Sequence, residues 1–429
     1  MKDKIKVGYI GLGRRGTGVL TWCVSEMADV EITAICDIYE PYLEKTTKML
    51  TEKGRPAPIE TTDYHDILNN PEIDAVFIMT PWDSRIDIVK DSMRAGKYTG
   101  FEVGCAFDIN ECHALLEVYE ETKTPIMMLE NCCYGRLEMM AMNVQDKGLF
   151  GELLHAEGGY HHDLVSCHEL YGNPDDEDRH YRINSYMHRS CEQYPTHALG
   201  PLCKVLGINR GNKMLTLSSF ASKAAALKAR AQKDPKAKDK WKNAEYKQGD
   251  FITTIITCAN GETIKLCLDT TAPLPHYSRN FTICGTNARL SENSKVLFFD
   301  GMEEPCRDNL EEMYKEYDHP LHKEYVALGE KGGHGGMDWL VCRAFIESVK
   351  HGTQTPIDAY DSILWLAIAP LSEASIAMGG APVPVPDFTR GKWVNREPIT
   401  EGKYCLDKVC LDDTVDIFPE DKEKKDEKK

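Results

Sequence analysis

The residues best suited to chemistry open the chain. Gly11-Leu12-Gly13-Arg14-Arg15-Gly16 follows an apolar run, Lys6 to Ile10, and leads into a helical pattern. The first glycine makes a tight turn, the second lets the backbone approach a diphosphate, and the third lets helix and strand pack closely, with the diphosphate on the helix N-terminus. Asp37 falls 21 residues after Gly16, at the end of the next strand-like run, where a carboxylate binds a ribose 2′-hydroxyl. Its charge would repel a 2′-phosphate, so the pattern predicts NAD, although Arg14 and Arg15 place positive charge close by. Thr80-Pro81-Trp82-Asp83-Ser84-Arg85 follows the run Ala75 to Met79, and Glu102-Val103-Gly104 follows the next. In a doubly wound sheet the ligand lies outside the carboxyl ends of the strands, so both segments are expected to border the cofactor.

Seven of the 14 histidines lie between His155 and His197. They include no HExxH, no regular i, i+4 pair and no cysteine pair at ligand spacing, so no metal is expected. Tyr160-His161-His162-Asp163 ends a strand-like run, and Tyr194-Pro195-Thr196-His197 opens an apolar helical one. Tyrosine and histidine beside a nicotinamide suit proton transfer at a carbinol that loses hydride.

The elements that must position these groups fall into two patterns. Over residues 1–130, strands at Lys6 to Ile10, Glu31 to Cys36, Ala75 to Met79, Lys97 to Val103 and Pro125 to Glu130 alternate with helices at Gly16 to Met27, Pro41 to Lys53, Asp83 to Ala95 and Ile109 to Thr122. This alternation predicts an N-terminal Rossmann domain, α/β with a doubly wound parallel sheet. Over residues 131–393, strand-like runs at Leu153 to Tyr160, Met214 to Ala221, Phe251 to Thr257, Thr263 to Asp269, Phe281 to Cys284 and Lys295 to Phe299 mostly follow one another without helices. They predict an α+β substrate-binding domain with an open, largely antiparallel sheet. Lys223 to Lys242 reads as a surface helix or excursion, and helical periodicity returns at Met337 to His351 and Tyr360 to Met378. Residues 394–429 form an extension whose final run, Glu420 to Lys429, is all charge and is expected to be disordered.

With 68 acidic and 51 basic residues, the net charge is −17, which argues against a nucleic-acid or anionic-membrane partner. No apolar run approaches the roughly 20 residues of a spanning helix. Met1-Lys2-Asp3-Lys4 leads directly into the first strand with no signal peptide, so a cytoplasmic protein is expected, and the 16 cysteines read as free buried thiols.

These features resemble the Gfo/Idh/MocA family of NAD-dependent oxidoreductases and, within it, the NAD-dependent glycosidases of glycoside hydrolase family 109, known for α-N-acetylgalactosaminidase activity. Matching segments include Met127-Met128-Leu129-Glu130-Asn131, Tyr194-Pro195-Thr196-His197, Gly333-His334-Gly335-Gly336-Met337-Asp338-Trp339 and Pro386-Asp387-Phe388-Thr389-Arg390-Gly391, and the resemblance spans residues 5 to 393. Beyond Gly11, Gly13 and Gly16, it implies cofactor contacts at Arg14, Arg15, Asp37, Trp82, Glu102, Val103, Asn131 and the Tyr194 to His197 motif, with Arg85 in the bordering loop. Substrate contacts would fall at Tyr160, Arg182, Tyr194 and Tyr277. Related sugar dehydrogenases carry a lysine where this chain has Val103, and that lysine is their acid-base group. Proton transfer here must therefore fall on other groups. Two positions depart from the family: Trp-Glu-Trp-His is here Trp82-Asp83-Ser84-Arg85, and the proline after Glu-Val is Gly104.

The resemblance implies a carbohydrate substrate and hydrolysis by transient C3 oxidation, elimination across C1–C2, water addition and re-reduction. His197 would be the base for the C3 hydroxyl and Tyr160 the base at C2, helped by Arg182. Tyr194 and Tyr277 would orient the sugar or assist the leaving group. The alternatives are a sugar or inositol dehydrogenase that releases a ketone, and a non-catalytic NAD-binding protein; the joint presence of these five side chains argues against the last. The open second sheet suggests a homo-oligomer.

Overall fold

Six short runs, β1 (Ile5–Ile10), β2 (Val30–Cys36), β3 (Ile59–Thr61), β4 (Ala75–Ile78), β5 (Tyr98–Phe101) and β6 (Ile126–Met128), form a parallel sheet in the order β3-β2-β1-β4-β5-β6. The computed structural model describes residues 4–167, 169–170, 181–303, 306–327 and 332–410, and Glu420 to Lys429 lies outside them. β4 is wholly buried and β1 nearly so, as helix-covered parallel strands require. The strand order reverses between β1 and β4, which opens a crevice at their carboxyl ends. The β3 edge strand was not expected, because Ile-Glu-Thr is too short to show a pattern.

The second sheet contains β7 (Leu153–His161), β8 (Met214–Ala221), β9 (Phe251–Cys258), β10 (Thr263–Asp269), β11 (Thr282–Gly285), β12 (Ala288–Ser291), β13 (Val296–Phe299) and β14 (Val383–Pro384). Its order is β13-β12-β11-β7-β10-β9-β8-β14. Only β7 and β10 pair in parallel, and every other pairing is antiparallel. Lys223 to Lys242 divides into short helices Ala226–Lys233 and Asp239–Lys242, anchored by buried Leu227, Ala231 and Trp241. Helix Arg136–Asp146 was not expected. Leu137 to Val144 are all buried, so it shows no polar face by which a periodicity could be read.

Two late helices knit the sheets together. Ala359–Ala377 is apolar on nearly all sides because it is covered on all sides: it packs on helix Ile109–Thr122 and β6, and also on β8 and helix Thr196–Val205. Asp358 caps it, accepting the Tyr360 and Asp361 N–H groups. Met337–His351 returns to β1 and helix Arg14–Trp22, where Phe345 meets Phe77 edge-on at 5.1 Å. A Cβ on Gly100 would lie 3.2 Å from the Phe345 ring, so glycine lets this helix seat closely.

Arg343, buried in that helix, donates to both Asp29 carboxylate oxygens at 2.6 and 2.8 Å, and Lys350 adds a third contact at 3.0 Å. Burial alone would raise the Asp29 carboxyl, but Arg343 and Lys350 hold it down at about 2. The folded value lies below the unfolded 3.8, so the pair stabilises the fold above that value, and the contribution disappears as pH falls through about 2. Arg343→Met is expected to cost about 3 kcal/mol in urea denaturation at neutral pH. The cost should shrink between pH 4 and pH 2; a pH-independent deficit would contradict this assignment.

Candidate active site

The glycine loop sits at the carboxyl end of β1. Gly11 has φ +97°, and a Cβ there would lie 2.7 Å from the Met79 carbonyl carbon. A Cβ on Gly16 would lie 2.2 Å from the Gly11 oxygen, whereas Gly13 faces open space. Gly13 is the N-cap of helix Arg14–Trp22 and supplies no capping side chain, so the first-turn N–H groups remain for an anion. Asp37 accepts the Leu12 and Tyr39 N–H groups at 2.7 and 2.9 Å, which fixes its carboxylate beside the loop. Among the described residues, Thr80 Oγ1 and Trp82 Nε1 are buried without a hydrogen-bond partner at the adjoining strand end. An open glycine cradle, an aligned carboxylate and free polar atoms fit a dinucleotide.

Arg15 and Arg85, both expected at the cofactor, make protein contacts beside that cradle. Arg15 donates Nε to Glu102 at 2.9 Å and both terminal nitrogens to Asp338 at 2.8 Å. Asp338 also accepts Asn131 Nδ2 and His334 Nδ1, each at 2.7 Å. Burial opposes the Asp338 charge, but hydrogen bonds from Arg15 and His334 hold its carboxyl well below the usual range. The His334 hydrogen bond to Asp338 in turn raises the imidazole. Arg85 is 2% exposed and turns its guanidinium onto the carbonyls of Glu102, Val103 and Thr80. A Cβ on Gly104 would lie 2.3 Å from Trp82 Nε1 and 2.7 Å from Arg85 Nη1. The two departures from the family pattern thus meet in one packing unit, in which Trp82 and Arg85 together fill the space a Cβ at 104 would need. Arg14 is exposed at the helix start.

The opposite wall gathers side chains from four segments. Tyr160 ends β7, Tyr194 and His197 open helix Thr196–Val205, Arg182 lies on helix Tyr181–His188, and Tyr277 lies between β10 and β11. Tyr160 stacks near Tyr194 at 4.5 Å between centroids and meets His197 at 5.4 Å and Tyr277 at 6.1 Å. The Arg182 guanidinium lies 4.8 Å from the Tyr194 ring and 6.0 Å from that of Trp82, and pairs with Glu169 at 3.2 Å. Trp82 therefore bridges the first sheet to this cluster. Burial raises the Tyr160 and Tyr194 phenols far above their ordinary value, with Arg182 opposing it at both.

Three further groups act on this wall: Glu130 and Arg279, which drew no role from the sequence, and His162, which the sequence singled out only as part of the Tyr160 to Asp163 motif. His197 Nδ1 is 2.7 Å from Glu130 Oε1, and Glu130 is fully buried after β6. Burial would raise that carboxyl, but the His197 charge and hydrogen bond, with the Cys132 N–H, hold it below its usual value. Tyr160 Oη is 2.7 Å from His162 Nδ1, and burial lowers the His162 imidazole, favouring its neutral, proton-accepting form. Arg279 donates to Tyr277 Oη at 3.4 Å. Alternating residues on a strand make His162 a same-face neighbour of Tyr160, which is the signal that could have found it. Glu130, Cys132 and His197 also bring their ligand atoms within 4.8 Å of one another, but the carboxylate oxygen nearest His197 already accepts both His197 and the Cys132 N–H.

Asp338→Asn is expected to weaken NAD binding at least about tenfold, because a charged acceptor shared by Arg15 and Asn131 is lost. Titration of the apoprotein with NAD+ by calorimetry measures this. Unchanged affinity would show that the network does not shape the cofactor cleft.

Comparison with known proteins matches this arrangement. Residues 5–129 match the NAD-binding Rossmann fold of an oxidoreductase family, and residues 134–395 match the C-terminal domain of glycosyl hydrolase 109. A glycosyl hydrolase family 109 protein of Stenotrophomonas maltophilia is 36% identical over 94% of this chain and 93% of its own length. An alpha-N-acetylgalactosaminidase of Tannerella forsythia is 36% identical over 92% of this chain and 88% of its own. Among solved structures, levoglucosan dehydrogenase in complex with NADH and levoglucosan shares the fold at TM-score 0.63 and 18% identity, covering 90% of this chain and all of that one. The chain belongs to the glycosyl hydrolase 109 family and is a glycosidase built on an NAD-binding Rossmann domain.

Proposed function

We propose that this protein hydrolyses α-N-acetylgalactosaminides through transient oxidation of the sugar at C3. The observation that carries the reading is the convergence of Tyr160, Tyr194, His197 and Tyr277, with Arg182, opposite a strand end that bears Val103 where a dehydrogenase would have its lysine. Held in this cradle, NAD would supply a reversible hydride acceptor for the sugar C3. Asp37 fits the ribose, the first-turn N–H groups of Arg14–Trp22 fit the diphosphate, and Trp82 fits beside the nicotinamide end.

The protein's own groups handle protons. His197 donates its Nδ1–H to Glu130, which leaves Nε2 to take the C3 hydroxyl proton, while the buried carboxylate stabilises the imidazolium that results. A C3 ketone acidifies the C2 proton. Tyr160 takes that proton as its own passes to His162 Nδ1, and Arg182 stabilises negative charge on the phenol oxygen. Electrons from the broken C2–H bond form the C1–C2 double bond and expel the glycosidic oxygen; water then adds at C1. The N-acetylgalactosamine assignment is supported by the name of the Tannerella relative.

All 16 cysteines are free, which suits a reducing compartment such as the cytoplasm, and among the described residues no helix is long and apolar enough to cross a membrane. The outer face of the second sheet exposes Phe220, Phe251 and Ile255 on neighbouring strands, a surface suited to pairing with a second copy.

A panel of nitrophenyl glycosides of both anomers, assayed with NAD+, tests the reading. Cleavage of the α-N-acetylgalactosaminide without net NADH is expected, and His197→Ala should lower turnover by about 10³. Growth of NADH from free sugar with no glycoside cleavage would assign a dehydrogenase instead. In heavy water the recovered sugar should carry deuterium at C2, and Tyr160→Phe should suppress that uptake.

A further inference from the structure

Tyr277 stands apart from the other phenols of the site. It is 41% exposed, against 4% for Tyr160 and 8% for Tyr194, so it lies at the mouth of the cluster, where the departing half of a glycoside must leave. Beside it is an arginine held on three sides. The Arg279 carbonyl accepts the Gly159 N–H at 2.7 Å, immediately before Tyr160, and the Arg279 N–H reaches Glu292 at 3.3 Å. Its side chain donates Nε to Glu138 Oε1 at 2.6 Å, and Glu138 is fully buried on helix Arg136–Asp146. One of its two terminal nitrogens, Nη1, donates to Tyr277 Oη at 3.4 Å.

The seat for this arginine is built. A Cβ on Gly135 would lie 2.1 Å from Glu138 Oε2, so the glycine leaves the carboxylate room in this position. Burying a carboxylate is costly unless it is paired, and Arg279 is its counter-charge. Burial raises the Tyr277 phenol, and Arg279 is the charge that opposes this rise. A fixed guanidinium at a phenol oxygen stabilises the phenolate more than the phenol.

We propose that Arg279, anchored by Glu138, is a positioning residue that holds the Tyr277 hydroxyl as the proton donor to the departing glycosidic oxygen and stabilises the phenolate left behind. As the C1–O bond breaks, its electron pair goes to the glycosidic oxygen, which takes the Tyr277 proton. When water adds at C1, its surplus proton returns to the Tyr277 phenolate, so protons balance over the cycle and no further reagent is needed. The role rests on the glycosidase reading above.

The test uses the NAD-loaded enzyme and a series of aryl α-N-acetylgalactosaminides with leaving phenols of rising pKa. Arg279→Met is expected to leave the dinitrophenyl glycoside within about threefold and to slow poor leaving groups by about 10², because only the latter need the proton. Arg279→Lys should recover part of the loss, the alkaline limb of the kcat profile should move down in pH towards wild type with it, and Arg279→Met/Tyr277→Phe should be no slower than Tyr277→Phe alone. A uniform loss across leaving groups, or additive losses in the double variant, would overturn the proposal. Glu138→Gln, which preserves shape, should show the same leaving-group dependence in milder form. If the wild type cleaves no glycoside, the glycosidase reading fails. The pairing is then read from Tyr277 ionisation by ¹⁹F NMR of fluorotyrosine-labelled protein: Arg279→Met should raise it, and no change would refute the pairing itself.

Discussion

A single buried carboxylate organises the cofactor side of this protein. Asp338 gathers Arg15 from the first helix, Asn131 from the turn after β6 and His334 from the glycine-rich segment ahead of its own helix. Each partner comes from a different part of the chain, and Arg15 extends the network to Glu102 at the end of β5. An unpaired charge at 3% exposure would be expensive, so the carboxylate makes the approach of these segments energetically coupled. Helix Met337–His351 thereby does more than cover a sheet: its first turn carries Asp338, and its Arg343 and Lys350 fasten it to Asp29.

Across the crevice the protein solves a different problem, that of moving protons at neutral pH with groups that burial keeps uncharged. Tyr160 and Tyr194 are held as phenols, and His162 is favoured neutral. Charges are placed behind them: Arg182 against Tyr194, Glu130 behind His197, and Arg279 beside Tyr277. Reacting groups thus stay poised while their partners carry the charge that develops, which is electrostatic preorganisation.

Much of this was legible in the sequence, and the rest was hidden for physical reasons. The glycine loop and Asp37 announce themselves because a tight turn and a ribose contact demand fixed residue types at short spacing. The buried strands β1, β2 and β4 show as largely apolar runs. Arg15 and Asp338 lie 323 positions apart, and Glu130 and His197 lie 67 apart, so no local pattern links them. Glu130, Glu138 and Asp338 look like ordinary surface acids until burial and a cationic partner are seen. Arg15 and Arg85 invited reading as ligand contacts; what the sequence could not show is that Arg15 pairs with Asp338 and Glu102 and that Arg85 turns both terminal nitrogens onto backbone carbonyls. Helix Arg136–Asp146 was obscured because it is buried on every side.

The central claim is that oxidation at C3 is transient and that the C2 proton is the one exchanged. The most direct measurement is to hydrolyse a glycoside deuterated at C3 in ordinary water and to locate the label in the sugar released. The account predicts that deuterium stays at C3 of the same molecule, while a C2 label in a parallel substrate washes out to solvent. Retention of the C2 label with ordinary hydrolysis would contradict it, since the bond would then have been cleaved without elimination.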